Sequence, residues 1–289
     1  MAETATVIAP RMRSKALRRF WRSPRTVAGV IVLVIIFLSA IFAPLLSTHQ
    51  PNVQNLRNRL QPPTAEHWLG TDQFGRDTYS RIMWGGRVSL QVGFLSVAIA
   101  LVIGGVMGLL AGFYGGWIDR LMMAISDVLL ALPGFLLALA IVAALGASIV
   151  NVMIAVGIAT VPYFSRITRS AVLSVREQDF VTAAQASGLL DRGIMLKHVL
   201  PNSLSPIIVQ VTLSLAGAIL TAAGLSFLGM GAQPPTAEWG AMLNGAQAYL
   251  RDSHWPVTFP GIAIVLTVLA LNFVGDGLRD ALDPRGLVD

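Results

Sequence analysis

The chain has 289 residues, of which 54% are hydrophobic and 12% charged, against about a quarter charged in ordinary soluble domains. Its apolar residues fall in long unbroken runs that a water-soluble core does not need, so the composition indicates one polytopic membrane domain. A net charge of +6 would suit nucleic acid, but the basic residues cluster beside apolar runs and form no sustained stripe, which sets nucleic-acid binding aside.

Residues 1–26 form a basic segment, with Arg11, Arg13, Lys15, Arg18, Arg19, Arg22 and Arg25 ahead of an apolar run from Val27 to Leu46. A signal peptide has an apolar core of about 7–15 residues followed by a small-residue cleavage site. This run is longer and ends in Ala-Pro-Leu-Leu, so it reads as an uncleaved anchor. Further runs near 88–113, 122–145, 148–165, 206–228 and 257–278 approach the roughly 20 apolar residues that a membrane-crossing helix requires, giving six predicted spans. Cytoplasmic loops collect Lys and Arg, so the basic segment puts the N-terminus inside, and an even number of spans returns the C-terminus there. Arg166, Arg169, Arg176, Arg192 and Lys197 suit an inside loop, and Arg251, alone in 229–256, suits an outside one. The 47–87 loop opposes the rule, with Arg57, Arg59, Arg76, Arg81 and Arg87 on the predicted outside. Within it, Thr78–Arg87 is expected to lie amphipathically on the membrane surface.

Glycines inside the spans, Gly104, Gly105, Gly108, Gly217 and Gly224, are expected to let helices approach closely in lipid, where packing replaces the hydrophobic drive. Asp127 and Asn272 are polar exceptions in the apolar runs. A proton-driven carrier usually shows several such residues, so Asp127 is read as a structural hydrogen-bonding group. His49, His67, His198 and His254 stand far apart with no helical pair spacing, and with no cysteine in the chain no metal site is read from the sequence.

The loop between the fourth and fifth runs carries the most information. A helix former from Arg176 has small residues at Ala183, Ala184 and Ala186, Gly188 ends it, and a second short helix runs to Leu200, where Pro201 is expected to stop it. Two short helices meeting at a sharp turn make a knob suited to a socket on another protein. The spacing Ala183-Ala184, three residues, Gly188, then Leu200-Pro201 resembles the signature loop of binding-protein-dependent ABC importer permeases. Thr182 and His198 depart from that family's general pattern in a way common in its peptide and nickel branch. The segments Trp68-Leu-Gly70-Thr71-Asp72, Gly75-Arg76-Asp77, Ser80-Arg81, Gly86-Arg87, Phe227-Leu-Gly229, Pro234-Pro235, Glu238-Trp239-Gly240 and Gly275-Asp276-Gly277 through Asp283-Pro284 resemble the C-type subunits of that branch.

The resemblance implies an all-α, six-helix permease of the type I ABC importer fold, with 27–87 as the first helix and external loop and 88–289 as the transmembrane domain containing a coupling loop at 166–205. It implies that Thr182, Ala183, Ala184, Ser187, Gly188, Leu189, Asp191, His198, Leu200 and Pro201 dock onto an ATPase. The implied partners are a homologous B-type permease, two ATP-binding subunits and an extracytoplasmic substrate-binding protein, for which Asp72, Arg76, Asp77, Glu238 and Trp239 are candidate contacts. The two lysines, Lys15 and Lys197, cannot complete a phosphate-gripping Gly-Lys-Ser/Thr loop. ATP and magnesium are therefore expected on the partner subunits, and this chain is expected to hold no cofactor, no metal and no catalytic residue. Dipeptides or oligopeptides are the expected cargo, with nickel chelates or glutathione as alternatives in the same branch. An ion-coupled carrier is the alternative of another class, but the inverted repeats and broken midplane helices frequent in such carriers are not detected.

Overall fold

The computed structural model describes residues 18–282. Arg11, Arg13, Lys15 and the closing Asp283-Pro284 lie outside the described residues. Helix α1, Pro24–Ile41, starts where the Ser23 hydroxyl accepts from the Thr26 N–H and Pro24 fills the first turn, both favourable start signals. One further turn, Ala43–Leu46, follows.

Helix α2, Thr78–Tyr114, has 37 residues and is about 55 Å long at 1.5 Å per residue, well beyond a hydrocarbon core of about 30 Å. Its opening turns are the Thr78–Arg87 stretch expected on the membrane surface. That expectation is corrected, because Thr78, Ser80, Arg81, Ile82, Gly85 and Gly86 are buried under loops and continue the span without a break.

The third predicted run is also revised. It forms two helices, α3 (Gly116–Leu130) and α4 (Gly134–Leu145), bent by 84°. Pro133 removes a backbone donor and disfavours helical geometry at Leu132, and α3 ends at Ala131, whose N–H bonds the Val128 carbonyl. Helix α5, Ile149–Arg176, runs past the predicted end at 165. After it come α6 (Asp179–Ala186) and a composite helix α7 over 191–202. The remaining helices are α8 (Leu204–Phe227), α9 (Trp239–Ala246) and α10 (Trp255–Leu282). Among the described residues five helices are long and apolar enough to cross a membrane, and the bent pair α3–α4 makes a sixth if taken as one span. No strand is assigned among them, only an isolated bridge between Thr71 and Asp77.

The core forms where α2 lies along α5. A Cβ at Gly104 or Gly108 would run into the carbonyls of Val161 and Ser165, and one at Gly112 would come within 2.8 Å of the Val172 side chain. Around this seam Val97, Ala100, Val152, Val156 and Phe164 pack with Leu215, Ile219 and Leu225 of α8. Ser126 on α3 and Ser165 on α5 share a buried hydrogen bond of 2.7 Å. Such close contact supplies dispersion and polar attraction where lipid provides no hydrophobic drive between helices.

Candidate functional site

The knob is built from α6 and α7. Val181 and Ala184 on α6 turn inward with Ile194, Met195 and Val199 of α7, and this apolar plug packs on Leu109 and Phe113 of α2 and Val172 of α5. It is thereby fixed to the C-terminal ends of two long helices. At the end of α6 the Gly188 N–H donates to the Gln185 carbonyl at 3.0 Å and the Leu189 N–H to the Ala184 carbonyl at 3.3 Å. This pairing leaves Gly188 left-handed, with φ +74, as in a Schellman ending. A Cβ there would meet nothing within 4 Å, so glycine is favoured by backbone conformation alone.

The expected docking residues divide into two groups. Thr182, Ala183, Ser187, Gly188, Leu189, Asp191 and Pro201 are exposed, and His198 and Leu200 are half-buried. Ala184 is 7% exposed and belongs to the plug, so it supports the knob from inside and is corrected from the docking surface. Pro201 does not stop the second helix as expected. Met195–Val199 widens into a π turn in which the Leu200 N–H reaches the Met195 carbonyl, and Leu200–Asn202 continues helical. Asn202 Nδ2 donates to the His198 carbonyl at 2.6 Å. Sequence reasoning missed Leu190, 81% exposed, which stands with Leu189, Leu196 and Phe180 as uncovered apolar side chains on the knob. Their signal was available as two leucines directly after a helix-ending glycine in a charged loop.

A second polar assembly covers the N-terminal end of α2, so the helix length separates it from the knob. Asp77 caps α2 by accepting from the Ser80 N–H at 2.8 Å. Asp72 accepts from the N–H groups of Phe74 and Arg76 at 2.8 and 3.0 Å, and from Arg76 Nε at 2.6 Å. Arg81 reaches the Pro51 carbonyl at 2.9 Å and the Pro235 carbonyl at 3.4 Å. Gly75 is left-handed with φ +69, and a Cβ on it would overlap the Asn55 carbonyl, which explains glycine at that point of the motif. Glu238 caps α9 by accepting from Gly240 and Ala241 and also accepts from the Ser89 hydroxyl at 2.9 Å. Trp239 donates from Nε1 to the Ile82 carbonyl at 3.0 Å, its ring lying over Gly85 and Gly86. Asp72, Arg76, Asp77, Glu238 and Trp239 are all buried. As direct contacts for a binding protein they are therefore corrected, because their polar atoms are engaged in holding this assembly together.

Between these ends lies a cleft. A cavity of about 380 Å³ is lined by Thr160 and Tyr163 of α5, Phe135 of α4, and Gln210, Ser214 and Thr221 of α8. Gln210 and Leu213 also line a second cavity, of about 630 Å³, that reaches Asn202 and Arg279 near the knob. The upper cavity offers neutral hydrogen-bonding groups and no charge. Beside it α3 is tied to α5 by Arg169 to Asp119, bidentate at 2.5 and 2.6 Å, and by Arg166 to Asp127 at 2.7 Å. Asp127 thus has an ion-pair partner, in keeping with the structural reading.

The described residues form a long all-helical bundle with a knob at one end, a polar assembly at the other and a cleft between them. The chain belongs to the family of binding-protein-dependent transport system inner membrane components, whose model matches residues 104–287. Residues 12–63 match the N-terminal transmembrane domain of oligopeptide transport permease C. The chain is 51% identical over 271 residues to the dipeptide transport system permease protein of Alkalihalophilus pseudofirmus, across 94% of this chain and 89% of that one. It is 42% identical to a probable D,D-dipeptide transport system permease protein of Escherichia coli K12, across 99% and 97%. To a glutathione transport system permease protein of Pectobacterium atrosepticum it is 43% identical, across 99% and 96%. Among solved structures it resembles the inward-facing MetNI methionine ABC transporter, with TM-score 0.58 and 18% identity over 70% of this chain and 96% of that one. The fold is that of type I ABC importer permeases, and the chain is a multi-pass inner-membrane permease subunit of an ABC importer.

Proposed function

We propose that this permease moves dipeptides or short oligopeptides inward across the cytoplasmic membrane, pairing with a homologous B-type permease and two separate ATPase subunits. The observation that carries this reading is near-full-length identity of 51% to a dipeptide permease, joined to a knob whose leucines are left uncovered. The knob faces the cytoplasm, both termini lie on that side, and ATP and magnesium are held by the partner subunits. Closure of those subunits on ATP pushes Thr182, Ala183, Ser187, Gly188, Leu189 and Asp191 and shifts the bundle between inward-open and outward-open states. Nucleotide favours one state only through its differential affinity for the two.

The assembly at the other end of α2 faces outward and receives a substrate-binding protein. Of its five arginines Arg76 and Arg81 are buried and engaged internally, which lessens their weight in the charge rule, while Arg57, Arg59 and Arg87 are exposed. Arg76 is paired with Asp72, Arg81 with backbone carbonyls, Arg87 lies over Trp84 and Arg59 over Tyr249. A cleft lined by neutral groups suits a peptide backbone and leaves most selection to the external protein. The glutathione relative makes a modified peptide the second reading.

The test is uptake of labelled dipeptide into proteoliposomes holding the chain with its partner permease, ATPases and binding protein. Uptake is expected to require internal ATP and to survive collapse of the proton gradient; uptake driven by the gradient alone contradicts the proposal.

A further inference from the structure

We propose that the end of the molecule at the start of α2 holds a divalent transition-metal ion of the zinc class, bound by His49, Glu66 and His67 and oriented by Asp77. Each of the three offers one ligand atom, and these atoms lie within 4.8 Å of one another. Two imidazole nitrogens and one carboxylate oxygen suit zinc, nickel or copper, whereas calcium and magnesium take oxygen ligands.

His67 is the anchor. It is buried, and its Nδ1–H donates to Asp77 Oδ1 at 2.9 Å. Asp77 is itself held by the Ser80 N–H. The carboxylate keeps the ring proton on Nδ1, which leaves the lone pair on Nε2, the arrangement by which a carboxylate behind the ring orients a metal-binding histidine. The His49 ring lies against it, with centroids 4.7 Å apart and planes tilted by 34°, and Thr48 Oγ1 is 3.0 Å from His49 Nδ1. Among the described residues the exposed Glu66 carboxylate has no hydrogen-bond or ion-pair partner. Asp77 Oδ1 holds His67 at 2.9 Å and stands 3.8 Å from His49 Nδ1. It does not account for the Glu66 carboxylate brought to within 4.8 Å of both imidazoles.

Zinc ligands at about 2.0–2.2 Å in a tetrahedron stand roughly 3.4 Å apart. Rotation of the half-exposed His49 and exposed Glu66 side chains closes the remaining gap, and the fourth position is left for water. The bound ion would tie residues just beyond the first span to the loop before α2, and through Asp77 to the α2 cap. This role is separate from transport chemistry and needs no ATPase.

The probe is zinc chloride, titrated calorimetrically into tag-free full-length protein in detergent, with cobalt(II) absorption reporting a four-coordinate N/O site. One ion per chain is expected. His49→Gln and Glu66→Gln, at positions where the side chain is partly or fully exposed, are each expected to weaken binding at least tenfold without moving the zinc-free melting temperature. His254→Ala, at an exposed histidine outside the cluster, is expected to bind as the parent does. Absence of saturable one-to-one binding, or unchanged affinity in both glutamine variants, overturns the proposal.

Discussion

Gly108 and Gly105 stand three residues apart on one helix yet face different surroundings. A Cβ at Gly108 would strike the Ser165 carbonyl and come within 2.7 Å of Thr168 Cβ, whereas at Gly105 it would meet only Leu101 Cδ1 at 3.9 Å. Gly108→Val is therefore expected to destabilise the bundle by about 1–3 kcal/mol through overpacking, read as a lower melting temperature in detergent. Gly105→Ala should change stability by no more than about 1 kcal/mol. The sequence treats these glycines alike, because composition reveals that a helix packs closely without revealing which face meets the neighbour. Gly104, Gly108 and Gly224 do meet one, while Gly217 has open space and lines the cleft. The buried Asp72, Asp77 and Glu238 were misjudged for a related reason. Carboxylates in a loop read as solvated until the backbone donors that satisfy them are located. The pairing of His49 with His67 was equally hidden, since their proximity depends on how the loop folds back on the α2 cap.

At the scale of elements, the knob was legible because its signals are local. A helix of small residues, a left-handed glycine and a leucine-proline pair each act within one or two turns, and the Gly188 ending appears as expected. What the sequence did not resolve was which face of α6 is inside. Val181 and Ala184 enter the plug while Ala183 remains exposed, which separates the supporting face from the face proposed to dock. Val181→Asp buries an unpaired charge and is expected to cost several kcal/mol, seen as lost folded protein. Ala183→Glu is expected to leave the stability within about 0.5 kcal/mol of the parent while reducing ATPase co-purification and uptake at least tenfold. Equal behaviour of the two variants would remove the distinction. The α3–α4 bend was also written locally, in Leu132-Pro133-Gly134, but average hydropathy ran through it because all the flanking residues are apolar. The π turn before Pro201 escaped for a different reason. A proline that removes one hydrogen bond can end a helix or widen it, and here the wider turn comes with Met195 and Val199 buried in the plug.

At the scale of the whole molecule, α2 serves as a strut about 55 Å long that carries the polar assembly on its first turns and the knob against its last. Force applied to the knob reaches α2 and α5 through Leu109, Phe113 and Val172, and α5 lines the cleft through Thr160 and Tyr163. That geometry gives the proposed coupling a physical route, and it makes sidedness the central question. The chain contains no cysteine, so Leu190→Cys, at a side chain 81% exposed, creates a single labelling site. With a membrane-impermeant maleimide, the account predicts no labelling in intact cells, ready labelling in inside-out vesicles stripped of ATPase, and protection when the ATPase is restored. Labelling of the introduced thiol from outside intact cells would contradict it.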